Sequence, residues 1–290
     1  MRNRAFGVML AAASAAALSA PPYAAGQEAG QLLPAAETQW DAPRTADGQP
    51  DIQGNWGQRS DITTYSIQAG LQDRAEHVTI GGQAPQLGRP IIDPPDGVIP
   101  YQPWAAKQAA FHYAQHRKPS RPELLDPVSR CFLEGVPRII YQQNMRILQF
   151  PTYIVMVHEY SHHYRVIYLD GRPHIGDSLK LWMGDSRGRW EGNTLVVDVT
   201  NHNDRTWFDI VGSFHSDAMR VTERWTFVNK DRIDYVATID DPKVFTKPWK
   251  LYVRLGRNKP EEQWESAICE GNKTAHVAFG IPFDRSENGK

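Results

Sequence analysis

His158-Glu-Tyr-Ser-His162 is the first spacing in this sequence that could do chemistry, two imidazoles four residues apart with a carboxylate beside the first. On a helix that spacing puts both histidines on one face and the glutamate next to a metal-bound water, as in zinc proteases. The flanks argue against a helix. Residues 152–157 and 164–168 are β-branched and aromatic, so the motif straddles a strand and a hairpin turn, where Glu159 points away from His158. Two other readings remain for these histidines. One is a looser metal site of His158, His162 or His163 with His174, as a metal-dependent hydrolase would need; the other is solvated turn residues.

Glu223 is a second candidate. Met219, Val221, Glu223, Trp225 and Phe227 alternate with Arg220, Thr222, Arg224 and Thr226, so one carboxylate interrupts an apolar strand face. Turned inward, it either has a raised pKa and serves as a general acid or base, or it forms a buried pair with Arg165, Arg189 or Arg254. His174 follows a stiff Asp170-Gly-Arg-Pro173 turn, with Asp185 downstream. A second long loop gathers His202, Asp204, Arg205, Asp209, His215 and Asp217 around Trp207 and Phe208. His174, His202, His215 and Asp217 are therefore the expected proton-transfer partners of Glu223. Arg165, Arg189, Arg254, Trp207, Phe208, Trp225 and Tyr235 are the expected contacts to a bound molecule. Motifs for a nucleophile elbow, a dinucleotide fold, a phosphate loop or a C-x-x-C pair are absent from the sequence, and no cofactor is expected.

The elements that must position these residues are mainly strands. Period-2 patterning predicts strands over Arg146–Phe150, Tyr153–Tyr160, Tyr164–Leu169, Arg189–Glu191, Thr194–Thr200, Met219–Val228, Arg232–Asp240, Lys250–Arg257 and Gln263–Cys269. Short punctuated linkers leave no room for crossover helices, which predicts an antiparallel up-and-down barrel or a sandwich. Asp51 to Gly57 reads as an opening strand. A loop-rich excursion over 58–145 follows, holding one clear helix at Pro103–Gln115 with Trp104, Gln108, Phe111 and Gln115 on one face. The meander then runs over 146–270 of a single domain, 51–290.

Ahead of that domain stand two segments. Residues 1–25 have the basic, apolar and small-residue layout of a secretory signal peptide, and 26–50 read as an extended arm or linker. Removing Arg2 and Arg4 with the leader takes the formal charge from −1 to −3, with both signs interspersed. That excludes the basic footprint of nucleic-acid binding, and no stretch reaches the length of a membrane span. A periplasmic or secreted setting makes a Cys131–Cys269 disulfide the expected state of the two cysteines.

Several segments carry a resemblance: Pro43 to Trp56, Arg130-Cys131 with Gly135-Val-Pro-Arg138, Asp170-Gly-Arg-Pro-His174, Gly184 to Val197, and Asp241 to Trp249. Together they resemble a large family of exported bacterial proteins for which no activity is named, which implies export and transfers no catalytic residue. Gly54-Asn-Trp56 is similar to the opening strand of lipocalin or calycin barrels, which implies an arginine from a late strand, Arg254, packing on Trp56. These readings point to an exported barrel holding a small, largely apolar, aromatic or terpenoid-like molecule. Either it performs lyase, isomerase or hydratase chemistry through Glu223, or it carries the molecule unchanged.

Overall fold

The computed structural model describes residues 34, 40–59, 65–68, 90–142, 144–159 and 162–259. The signal peptide, most of the 26–39 stretch, the Gln263–Cys269 strand and Cys269 of the expected bridge lie outside the described residues. The described residues form ten strands: β1 (Gly54–Gln58), β2 (Ile91–Asp93), β3 (Met145–Phe150), β4 (Tyr153–His158), β5 (Tyr164–Tyr168), β6 (Asp185–Glu191), β7 (Thr194–Thr200), β8 (Arg220–Asn229), β9 (Arg232–Asp240) and β10 (Trp249–Arg257). Two helices, α1 (Pro103–Gln115) and α2 (Arg138–Gln142), interrupt them. No helix among the described residues is long and apolar enough to cross a membrane.

β1 and β3 to β10 pair in order, and β1 returns to β10, closing a nine-stranded barrel with β2 added beside β10. An odd number of strands cannot alternate direction all the way round. One pairing must be parallel, and it falls between β5 and β6. The strictly antiparallel expectation is corrected there, because residues 169–184 cross the barrel from one end to the other before β6 begins. That seam is short, with only Ile167 opposite Ser186 and Tyr168 opposite Arg187.

The two ends differ. At one end β3–β4, β6–β7 and β8–β9 turn tightly, and the arm docks there. Trp40 meets Phe227 edge-on at 4.8 Å, its carbonyl accepts from Asn193, and Gln49 binds Trp190 and the Pro151 carbonyl. The later part of the segment read as a linker is therefore part of the packed domain. Apart from the 169–184 crossover, the long connections lie at the other end, including both helices and residues 201–219, and these form a cap. Loops gathered at one end of a barrel are where sites are usually built.

Inward alternation is obeyed and the lumen is filled. Trp56, Trp225, Tyr235, Leu251 and Val253 are fully buried, together with Met145, Ile147 and Val197. The expected calyx-like hollow is thus occupied by side chains. Arg254 lies exposed on β10, donating to the Arg59 carbonyl, and Arg257 takes the place over Trp56 at 4.2 Å. The three-residue shift reverses its face, since side chains alternate along a strand. On α1 the packed residues are Ala105 and His112, while Trp104 and Phe111 are exposed. Ala106, Ala109, Ala110 and Tyr113 instead form a wall facing a cavity.

Candidate functional site

Among the described residues, several buried polar side chains gather where the barrel meets its cap. Glu223, fully buried on β8, receives both Arg165 terminal nitrogens, Nη1 at 3.0 Å and Nη2 at 2.5 Å, and the Tyr235 hydroxyl at 2.8 Å. Arg165 also donates from Nε and Nη2 to Ser186 Oγ at 3.1 and 3.0 Å. Every strong group in this set has a partner from another strand. Burial and the Glu223 charge push the Tyr235 hydroxyl well above the usual tyrosine range. Of the two sequence readings of Glu223, the geometry is that of the buried pair. None of the cavities described below is lined by it.

Histidines flank this pair. His158 and His202 are buried, and among the described residues neither ring nitrogen of either has a hydrogen-bond partner of good geometry. Burial, then a neighbouring histidine (His163 or His215), then Arg165 hold both well below the ordinary histidine range. His215 differs: Nδ1 faces the Ser216 carbonyl at 2.9 Å, so it donates, and Nε2 accepts from Thr206 Oγ1 at 2.7 Å. Burial lowers its pKa too. The rings of His202 and His215 lie 6.0 Å apart, edge to face.

The remaining sequence candidates scatter. His174 sits on the crossover, with Nδ1 2.7 Å from Asp185 and Nε2 3.0 Å from Asp198, clasping the loop to β6 and β7. Asp217 is exposed against Lys243, whose hydrogen bond holds its carboxyl below the usual range. Arg189 is exposed and pairs with Glu191, so it does not enter the barrel. Trp207 stacks on His112 at 4.9 Å, and Phe208 packs against Trp249 and His215, so both serve as cap core. Trp225 stands edge-on to Tyr235 at 4.6 Å. Of the His-Glu-x-x-His motif, His158 ends β4, Glu159 accepts from Asn144, and His162 is exposed with φ +47°. No group of three His, Cys, Asp or Glu side chains among the described residues converges on a metal position.

Sequence reasoning missed the cap's own cluster. Arg138 of α2 binds Asp126 through two bonds of 2.8 Å and reaches the Trp207 and Asp209 carbonyls. Asp209 accepts from the backbone of Ile67 and Ser213 and from Ser213 Oγ at 2.8 Å. Burial nonetheless raises its pKa to about 6. Beside it the Tyr101 hydroxyl accepts from Phe214 N, and burial and the Asp209 charge push its pKa up. Tyr101 and Ser213 line a cavity of about 480 Å³, together with Gln68 and Tyr113 and with apolar walls that include Ile99, Pro100, Ala109 and Val211. The proton carriers of 202–217 marked this loop in the sequence. Nothing there linked it to Tyr101, more than a hundred residues away.

Gly212 holds that loop against α1. Its φ is +93°, and a Cβ would lie 2.4 Å from His112 Cβ. Gly212→Ala combines a left-handed penalty with a backbone-side clash and should destabilise by about 2–4 kcal/mol. Chemical denaturation would read this, and a loss under 1 kcal/mol would show that α1 gives way freely.

Family models, curated proteins and solved structures give no match to this chain. The likeness to a family of exported proteins therefore has no support beyond its motifs, whereas the closed barrel is formed.

Proposed function

We propose that the protein is exported and binds a small, largely apolar ring compound in the cavity between α1 and residues 211–213. There, we infer, it moves a proton as lyases, isomerases and hydratases do. The observation that carries this reading is the cavity of about 480 Å³ lined by Tyr101 and Ser213 among apolar walls, with Asp209 accepting from Ser213. Apolar walls with few convergent polar groups and a carboxyl of raised pKa are the usual makings of such a site. Tyr101 would hold a hydroxyl or carbonyl oxygen, and Ser213 would relay a proton to or from Asp209. Glu223 moves in this reading from proton carrier to scaffold. The basic–apolar–small leader supports export to the periplasm or beyond.

A non-catalytic carrier is the second reading, favoured by the predominance of apolar wall residues. One experiment separates them. N-phenyl-1-naphthylamine should show saturable fluorescence enhancement on the wild type, and Val211→Trp, which fills the cavity, should abolish it. Asp209→Asn should keep the probe affinity within about threefold, since the carboxyl is not a wall group. Small cyclic alcohols and ketones are then screened by mass spectrometry for loss or gain of water. Turnover in the wild type that vanishes in Asp209→Asn supports the enzyme; binding without turnover leaves the carrier; absence of probe binding removes both.

A further inference from the structure

The β5–β6 seam holds a second cavity, of about 350 Å³, distinct from that under α1. Its origin is topological. Tyr164, Arg165 and Val166 have no partner on β6, so the sheet is unzipped there and side chains bridge the gap in place of a backbone ladder. Arg165 and Ser186, both almost wholly buried, form the floor. Met183, Leu181, Ile175 and Tyr168 form apolar walls, and Arg172 and Arg187 stand at the rim over the Tyr168 ring at 4.3 and 5.0 Å.

Ser186 is the decisive group. Its oxygen already accepts two bonds from Arg165, which fills its acceptor capacity. What remains is one hydroxyl proton, polarised by a guanidinium and available to an acceptor in the cavity. Three guanidinium groups line the cavity, Arg165 held by Glu223, Arg187 by Asp185 and Arg172 by Asp170, and Asp185, the one carboxylate in the lining, is also held by His174. Arg172 is half exposed at the mouth, and its partner Asp170 lies outside the lining, so a guest carboxylate would share or exchange that contact.

We propose that this seam is a binding site for a small aromatic or conjugated carboxylate. Its ring enters between Met183, Leu181 and Tyr168, and its carboxylate takes the Ser186 proton and a rim guanidinium. A charge-assisted contact of this kind favours an acid over its neutral alcohol by about tenfold or more.

Isothermal titration of the full mature chain with 2-naphthoate and with 2-naphthylmethanol tests this. The naphthoate should bind saturably and about tenfold tighter than the alcohol; Ser186→Ala should erase most of that preference, and Met183→Trp should abolish binding. Should Met183→Trp fail to fold, Leu181→Trp at the exposed mouth blocks the same cavity. No saturable heat with the wild type, equal affinity for acid and alcohol, or full affinity in the tryptophan variant would each overturn the site. N-phenyl-1-naphthylamine binding under α1 is expected to be unchanged by these variants.

Discussion

Glu223→Gln is expected to destabilise the fold by about 3–5 kcal/mol, because it strands the Arg165 guanidinium inside the barrel. The pair is bidentate, both partners are buried, and Ser186 and Tyr235 complete it. Glutamine keeps the shape of the side chain but not its charge, so Arg165 loses its counterion while Tyr235 keeps an oxygen to bind. Arg165→Met strands the carboxylate instead and should cost a similar amount. In the double variant Arg165→Met/Glu223→Leu both charges leave together, and much of the loss should return. Equilibrium denaturation of the wild type, Arg165→Met, Glu223→Leu and the double variant gives the coupling energy. Independent, additive losses would show that the two side chains do not act as a pair. Glu223→Gln with unchanged stability and abolished turnover would restore Glu223 as the proton carrier.

Acid should begin to destabilise this protein at a pH above the ordinary carboxylate range. His112, His158, His202 and His215 all titrate below the ordinary value of 6.5 in the folded state, chiefly through burial. The unfolded chain takes up these protons at about pH 6.5 and the folded chain does not. Each histidine's contribution is therefore complete above about pH 6.5 and declines as pH falls toward its folded-state value. The slope is about 1.4 kcal/mol per pH unit for each group in that window. Asp209 has the opposite sign. Its pKa is raised to about 6, so the stability it confers is full below the unfolded value near 4 and lost as pH rises through about 6. Four histidines outweigh one carboxyl, and unfolding free energy should fall as pH drops below about 6.5, with His158 and His202, held furthest below the ordinary value, contributing over the widest range. His202→Leu should flatten the curve by about one histidine's slope. An unaltered slope would mean that His202 is protonated in the folded state.

The two cavities and the Glu223 pair meet the sequence at different points. Alternation along 145–257 was legible, because an inward face must be apolar and the period-2 pattern records it directly. β7, β9 and α1 have the bounds the pattern predicts. β6 begins four residues before the predicted Arg189, because Asp185, Ser186, Arg187 and Gly188 carry the polarity of a seam rather than of a core strand. β2 and α2 were hidden in the excursion, since three-residue and five-residue elements carry too few periods to read.

The sequence by itself determined a mainly β domain, the inward set on each strand, and a lone carboxylate that had to be resolved inside an apolar face. Only the tertiary structure decided how. That Arg165 rather than Arg189 or Arg254 answers Glu223 depends on barrel register and seam position, which couple residues fifty-eight apart in the chain. Closure of nine strands placed the parallel seam, and the cap brought Tyr101 to Ser213 and Asp209. Local periodicity reports which way a side chain faces; what it meets there is set by long-range closure, which no local pattern encodes.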